Sequence, residues 1–164
     1  MELFISFKNS LLLPKKHALF RLNRISMRNT IVYIFLLMFL LFLPEVVHSI
    51  LHFEEEGKVL TRTVYIMEVI IFYPFSILFM VVTIVSLLAG LSVGIKKAAG
   101  RKLKYQQLWK MTSFAMTVPL IVFTILRLLF GFDGILIYLV FMAMFCFLMY
   151  RMITVYPKRA KRSK

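Results

Sequence analysis

The segment VYIMEVIIFYPFSILFMVVTIVSLLAGLSVGI, residues 64–95, carries one charged side chain, Glu68, in 32 positions. A hydrocarbon core about 30 Å thick is crossed by roughly 20 residues of α-helix, and these residues at about 1.5 Å each overshoot it. The segment therefore reads as one membrane-crossing helix that tilts, bends at Pro74 or projects from the bilayer. Half of it is too short to cross, so it holds one span and not two. Strands of a membrane β-barrel would alternate apolar and polar residues every second position, and no such alternation runs through it.

Outward from this block lie three more of the same kind, at residues 30–51, 111–130 and 134–156. Hydrophobic residues make up 61% of the 164 positions, well above the ~45–50% of ordinary globular domains. The expected fold is an all-α membrane protein, a four-transmembrane-helix bundle over residues 29–156. An amphipathic and basic N-terminal segment, residues 1–28, precedes it, and a polybasic tail, residues 157–164, follows. Cys146 lies mid-block in MAMFCFLMY and reads as a small apolar residue.

The opening MELFISFKNSLLL is expected to form a short amphipathic interfacial helix on the inner leaflet. Leu3, Phe4, Phe7, Leu11 and Leu12 would face lipid, and Pro14 would end the helix. A secretory signal is not expected, because the basic stretch is too long and no small-residue cleavage site follows the first apolar block.

Charge sets the orientation. Eighteen of the 21 basic residues fall before the first block, between residues 96 and 110, or from Arg151 onward, with Glu2 as the one acid among them. Glu45, Glu54, Glu55, Glu56, Glu68 and Asp133 fall on the opposite side if four spans alternate, beside Lys58, Arg62 and Arg127. The positive-inside rule then predicts a multi-pass protein of the plasma membrane with both termini cytoplasmic. A net charge of +14 would suggest nucleic acid in a soluble chain. Nucleic-acid modules need a folded platform or a groove-entering element, for which these loops have no room. The expected partner is a bilayer with anionic headgroups, with an acidic cytoplasmic protein as a further candidate.

Ionisable residues within spans are costly and default to functional hypotheses. Glu45, Glu68 and Arg127 are the ones away from the basic ends, all in the same half of the bilayer. Three readings stay open: an ion-paired cluster that fixes helix register, side chains snorkelling separately to the headgroups, or a substrate or proton pathway. In LPEVVHSILHFEEE, residues 43–56, Glu45, His48 and His52 share one helical face. With Glu68 they would suit zinc or another divalent ion. The H-E-x-x-H pattern of a metalloprotease helix is absent, and the stretch reads mainly as the exit of the first span into water. No metal or cofactor is expected. Nor is an enzyme: G-x-S-x-G, P-loop and G-x-G-x-x-G patterns are absent, and no serine–histidine or glutamate–histidine set sits deep in facing spans.

Ser86, Gly90, Gly94 and Ala98 recur every four residues in SLLAGLSVGIKKA, a small-residue stripe that lets a helix approach closely. It is expected to pack within the chain, with a homodimer or a partner helix as the alternatives. Ser76, Thr83 and Ser92 read as packing hydroxyls. Pro44, Pro74 and Pro119 should bend their spans.

Two stretches carry a family resemblance: FKNSLLLPKKHALFRLNRISMRNTIVYIFLLMFLLFLP, residues 7–44, and YQQLWKMTSFAMTVPLIVFTILRLLFG, residues 105–131. With the proline-basic step from Pro14 to Lys16 and a third span entered through LWKMTSFAMTVP, the chain resembles the bacterial membrane family called domain of unknown function 1189. That family is related to the Yip superfamily, and its members are also labelled maltodextrin-utilisation proteins. The resemblance implies no catalytic residues. Longer members carry an extracytoplasmic segment between spans one and two, where this chain has HFEEEGKVLTRT. Two function classes follow: a non-catalytic accessory or organising protein that binds other membrane components, or a small transporter or channel subunit that uses Glu45, Glu68 and Arg127 in a pathway.

Overall fold

A computed structural model describes residues 2–52, 61–130 and 134–157. Glu54, Glu55, Glu56, Lys58, Asp133 and residues 158–164 of the expected basic tail lie outside the described residues. Seven helices follow in order: α1 (Glu2–Leu11), α2 (Lys16–Asn23), α3 (Met27–Leu51), α4 (Arg62–Ala98), α5 (Tyr105–Ala115), α6 (Thr117–Phe130) and α7 (Ile135–Thr154). No strand occurs among the described residues.

Four helical stretches are long and apolar enough to cross a membrane: Met27–Leu51, Arg62–Ala98, Tyr105–Leu128 and Ile135–Thr154. They overlap the four apolar blocks, and the third begins at Tyr105, six residues before the block that starts at residue 111. The second is one continuous helix of 37 residues with Pro74 inside it, about 55 Å long at the usual rise. The third is α5 and α6 set end to end. Pro119 cannot donate to the Ala115 carbonyl and crowds it, so the helix breaks at Met116. It resumes where the Leu120 N–H reaches Met116 O at 2.9 Å.

Local chemistry sets the other ends. The Ser26 hydroxyl accepts from the Asn29 N–H at 3.2 Å and caps the start of α3. Gly100, at φ 62°, ends α4. There Arg101 N–H reaches Lys96 O at 3.2 Å and Gly100 N–H reaches Lys97 O at 3.1 Å. This is a Schellman motif, whose left-handed residue favours glycine. At the start of α5 the Gln107 side chain accepts from the Lys104 N–H at 2.9 Å.

The core centres on α5, where seven of eleven residues are buried, from Leu108 to Ala115. Around it pack Ile34 and Met38 of α3, Val81, Val85 and Ala89 of α4, and Phe145, Met149, Met152 and Ile153 of α7. Packing is concentrated in one half of the bundle. The buried residues of α4 begin only at Ile77. Phe72, Phe75, Phe79, Ile135 and Leu136 are each more than half exposed, a surface suited to lipid.

The well-packed half is also the basic end. Lys110 donates to Asn23 O at 2.6 Å and to Ile25 O at 3.0 Å. Lys96 donates to Leu103 O at 2.8 Å, and the Arg101 guanidinium donates to the Tyr156 carbonyl. Phe20 packs edge-on against Tyr156 with ring centroids 5.8 Å apart. The start of α3, the end of α4, the start of α5 and the end of α7 therefore share one end, which gathers the described basic segments together.

The expected N-terminal helix is present as α1, and its docking has an additional feature. Its small polar face, Ser6, Asn9 and Ser10, is buried where α1 packs on α3, α5 and α6. Leu3, Phe4, Leu11 and Leu12 are exposed, which leaves them for lipid, while Phe7 packs against the core. The Asn29 amide donates to the Glu2 carboxylate.

Candidate functional site

Glu45 sits on α3 directly after Pro44, at the end of the bundle remote from the basic segments. Arg127 reaches it from α6. The guanidinium and carboxylate meet in a two-pronged pair, Nη2 to Oε1 at 2.9 Å and Nη1 to Oε2 at 3.1 Å. Such fork-to-fork geometry gives direction as well as charge neutralisation. The two side chains are 40% and 53% exposed, so protein does not seal the pair. Surrounded by water, it would contribute only about 0–1 kcal/mol. In hydrocarbon an unpaired arginine or acid at mid-span costs roughly 2.5–3.5 kcal/mol, so pairing has more to offset the deeper the pair sits.

Two grooves open on either side of Glu45. One, of about 450 Å³, lies between α3 and α6 and is lined by Leu41, Phe42, Pro44, Glu45, His48, Phe123, Thr124, Arg127 and Leu128. The other, of about 380 Å³, lies between α3 and α4 and includes Glu45, Ser49, Tyr65, Glu68, Tyr73 and Ser76. Across this second groove the Ser49 and Tyr65 hydroxyls are hydrogen-bonded, and Tyr73 donates to Phe39 O at 2.7 Å. That carbonyl is one residue before the one Pro44 leaves without its helical donor. Glu68 lines the groove on the far side from Arg127 and makes no hydrogen bond or ion pair with the described residues. The structure thus joins Glu45 to Arg127 and places Glu68 near Glu45 but outside the pair.

The histidines have a different arrangement from a ligand set. His48 and His52 stack with ring centroids 4.0 Å apart, and His52 Nδ1 lies 2.9 Å from His48 O at the end of α3. Glu45 is turned to Arg127. No group of three His, Cys, Asp or Glu side chains able to hold a metal ion occurs among the described residues.

The small-residue stripe divides. Ser86 is half-buried and is used within the chain: Trp109 Nε1 donates to its hydroxyl and Tyr105 to its carbonyl, each at 3.2 Å. Gly90, Gly94 and Ala98 are exposed, and a Cβ placed at Gly90 or Gly94 would meet none of the described residues within 4 Å. Among the described residues, packing within the chain along this stripe therefore stops at Ser86. The reason is rotational: the buried stripe of α4 runs through Ile77, Val81, Val85, Leu88, Ala89 and Ser92, and the glycines lie off it.

One polar feature was not legible from motif reading. Ser6 and Ser10 of α1, Thr30 and Tyr33 of α3, and Ser113 and Thr117 beside Pro119 are all buried. The Tyr33 and Thr117 hydroxyls meet at 2.8 Å. Ser10 donates to Ser6 O at 2.8 Å and Thr30 to Ser26 O at 3.0 Å. Small hydroxyl residues that satisfy themselves on their own helix permit close helix approach in lipid. The available signal was the spacing of Ser6, Asn9 and Ser10 on one face of α1.

A family model described as Protein of unknown function (DUF1189) matches residues 54–150. The match spans more than half of the chain, and the chain belongs to this family. It takes in Glu68, Arg127 and the glycine stripe, whereas Glu45, α1 and α2 precede it. Of the two stretches that suggested the resemblance, it includes residues 105–131 and not 7–44. Neither a curated protein nor a solved structure matches the chain.

Proposed function

We propose that this member of the DUF1189 family is a non-catalytic, multi-pass protein of the plasma membrane that binds and organises another membrane component, with both termini cytoplasmic. The open face of α4 carries this reading. Gly90 and Gly94 have no neighbour among the described residues within 4 Å of a Cβ position, and Leu87 and Leu91 beside them are more than half exposed. Lipid tails are as apolar as leucine, so helices associate in a bilayer through close approach at small residues. A helix from another protein or from a second copy of this chain fits that face.

The orientation is supported by the basic segments gathered at one end of the bundle. In a Cys146→Ala background, cysteines placed at exposed Thr61 and Lys102 are expected to label from opposite sides of sealed membranes. Labelling of both from one side would sink the orientation.

A second reading, a small transporter or channel subunit, rests on Glu45 lining both grooves. The centre of the bundle argues against it, since Met38, Val81, Phe114 and Met149 fill it at no more than 1% exposure. A photocrosslinking residue at Leu91 should capture a stoichiometric partner in native membranes, while one at Leu139 on exposed α7 should not. Equal adducts from both positions, or none from either, would overturn the organising role.

A further inference from the structure

We propose that α2 carries a binding site for the phosphate headgroup of an anionic phospholipid, formed by His17, Arg21 and Arg24 beside Phe20. These four residues line a groove of about 380 Å³. Their spacing of three, four and seven residues puts them on one face of the helix. The opposite face, Ala18, Leu19 and Leu22, is buried, where α2 packs on α5. Lys110 holds the end of α2 through Asn23 O and Ile25 O. The cationic face is thus presented by a fixed element rather than by a loose tail.

Nothing described in the chain neutralises this face. His17, Arg21 and Arg24 form no side-chain hydrogen bond or ion pair with the described residues. Glu2, the one acid among the basic segments, is bonded to Asn29. Arg21 and Arg24, like charges three residues apart on one helical face, repel one another, and an external anion relieves that repulsion. A second basic groove, which includes Lys96, Arg101, Lys102 and Lys104, differs in this respect. There Lys96 is engaged by Leu103 O and Arg101 by Tyr156 O.

The chemistry also distinguishes a lipid from a free anion. Guanidinium forks match phosphate oxygens in geometry as well as charge. Phe20, 43% exposed and braced on Tyr156 at 5.8 Å, adds an apolar wall that a glycerol or acyl segment can use and inorganic phosphate cannot. Three residues beyond α2 the chain enters the membrane-crossing α3, which sets the groove near headgroup level. Basic pockets beside transmembrane helices are suited to anionic headgroups.

The test uses the full chain in phosphatidylcholine nanodiscs, titrated with phosphatidylglycerol and read by native mass spectrometry. Loss of both guanidinium forks from the phosphate should lower the apparent affinity more than about tenfold for Arg21→Gln with Arg24→Gln. Lys102→Gln with Lys104→Gln, which removes the same charge from the other groove, should change it less than about twofold, because neither lysine would touch the bound phosphate and its distant charge is screened. Equal losses in the two variants would reduce the effect to diffuse charge and overturn the site. Equal retention of phosphatidylcholine by the unaltered chain would overturn it without reference to any variant. Displacement of the lipid by equimolar inorganic phosphate would assign the groove to a free anion and likewise overturn the proposal.

Discussion

Lys110 of α5 donates to the carbonyl of Asn23, the last residue of α2, at 2.6 Å, and to Ile25 O at 3.0 Å. Carbonyls at a helix end have no partner within the helix, and a cation there also meets the negative end of the helix dipole. One side chain from the central helix therefore ends α2 and fixes the turn into α3. Lys110→Met removes both bonds and should cost about 1.5–3 kcal/mol, the range for hydrogen bonds to a charged group. Thermal unfolding in detergent measures it, and faster proteolysis between residues 23 and 27 should accompany the loss. An unchanged melting temperature would show that α2 is held without Lys110.

Ser10 is fully buried where α1 meets its neighbours, and its hydroxyl is satisfied by Ser6 O. Ser10→Leu forces a large side chain into that contact, with an expected cost of about 1–3 kcal/mol. Release of α1 should make residues 2–13 accessible to limited proteolysis. Ser10→Ala, which keeps the volume small, should leave α1 protected.

Glu45 and Arg127 form the pair between α3 and α6. Arg127→Leu leaves a carboxylate without this partner, and Glu45→Gln leaves the guanidinium without its carboxylate; each should destabilise more than removal of both together. A double-mutant cycle in detergent or lipid should return a coupling of at least about 0.5 kcal/mol. Strictly additive losses would mean that the pair does no more than coexist at the surface.

Gly90 and Gly94 have room for a methyl group. Gly90→Ala and Gly94→Ala should each stabilise the isolated chain by about 0.5–1 kcal/mol, the helical penalty of glycine relative to alanine. Gly90→Leu should leave the chain folded in detergent but weaken capture of a partner at Leu91. If Gly90→Leu destabilises the isolated chain instead, the glycine face is internal.

The sequence made the spans readable because each apolar block is at least about as long as a bilayer core and nearly free of charge. Residues 64–95 had one interpretation at that length, and α4 is a single helix of 37 residues. The break at Met116 was announced by Pro119. The side of α4 that packs was not readable: Ile77, Val81, Val85 and Leu88 alternate with equally apolar Leu78, Phe79, Val82 and Leu87, and in lipid both faces satisfy the same hydrophobicity. Nor was the direction of the polar face of α1 readable, because serines can turn to water or to a close neighbour at similar cost.

Composition and spacing by themselves determined the helical class, the number of spans and the segregation of basic charge, since these follow from the solvent each segment can tolerate. Only the tertiary structure decided which charges meet and which faces are left open. It paired Arg127 with Glu45 rather than Glu68, placed Lys110 on the end of α2, and turned Gly90 and Gly94 away from the core. Those outcomes depend on helix rotation and register. In a chain whose helices are apolar all round, they are set by side-chain packing and polar satisfaction between segments far apart in sequence.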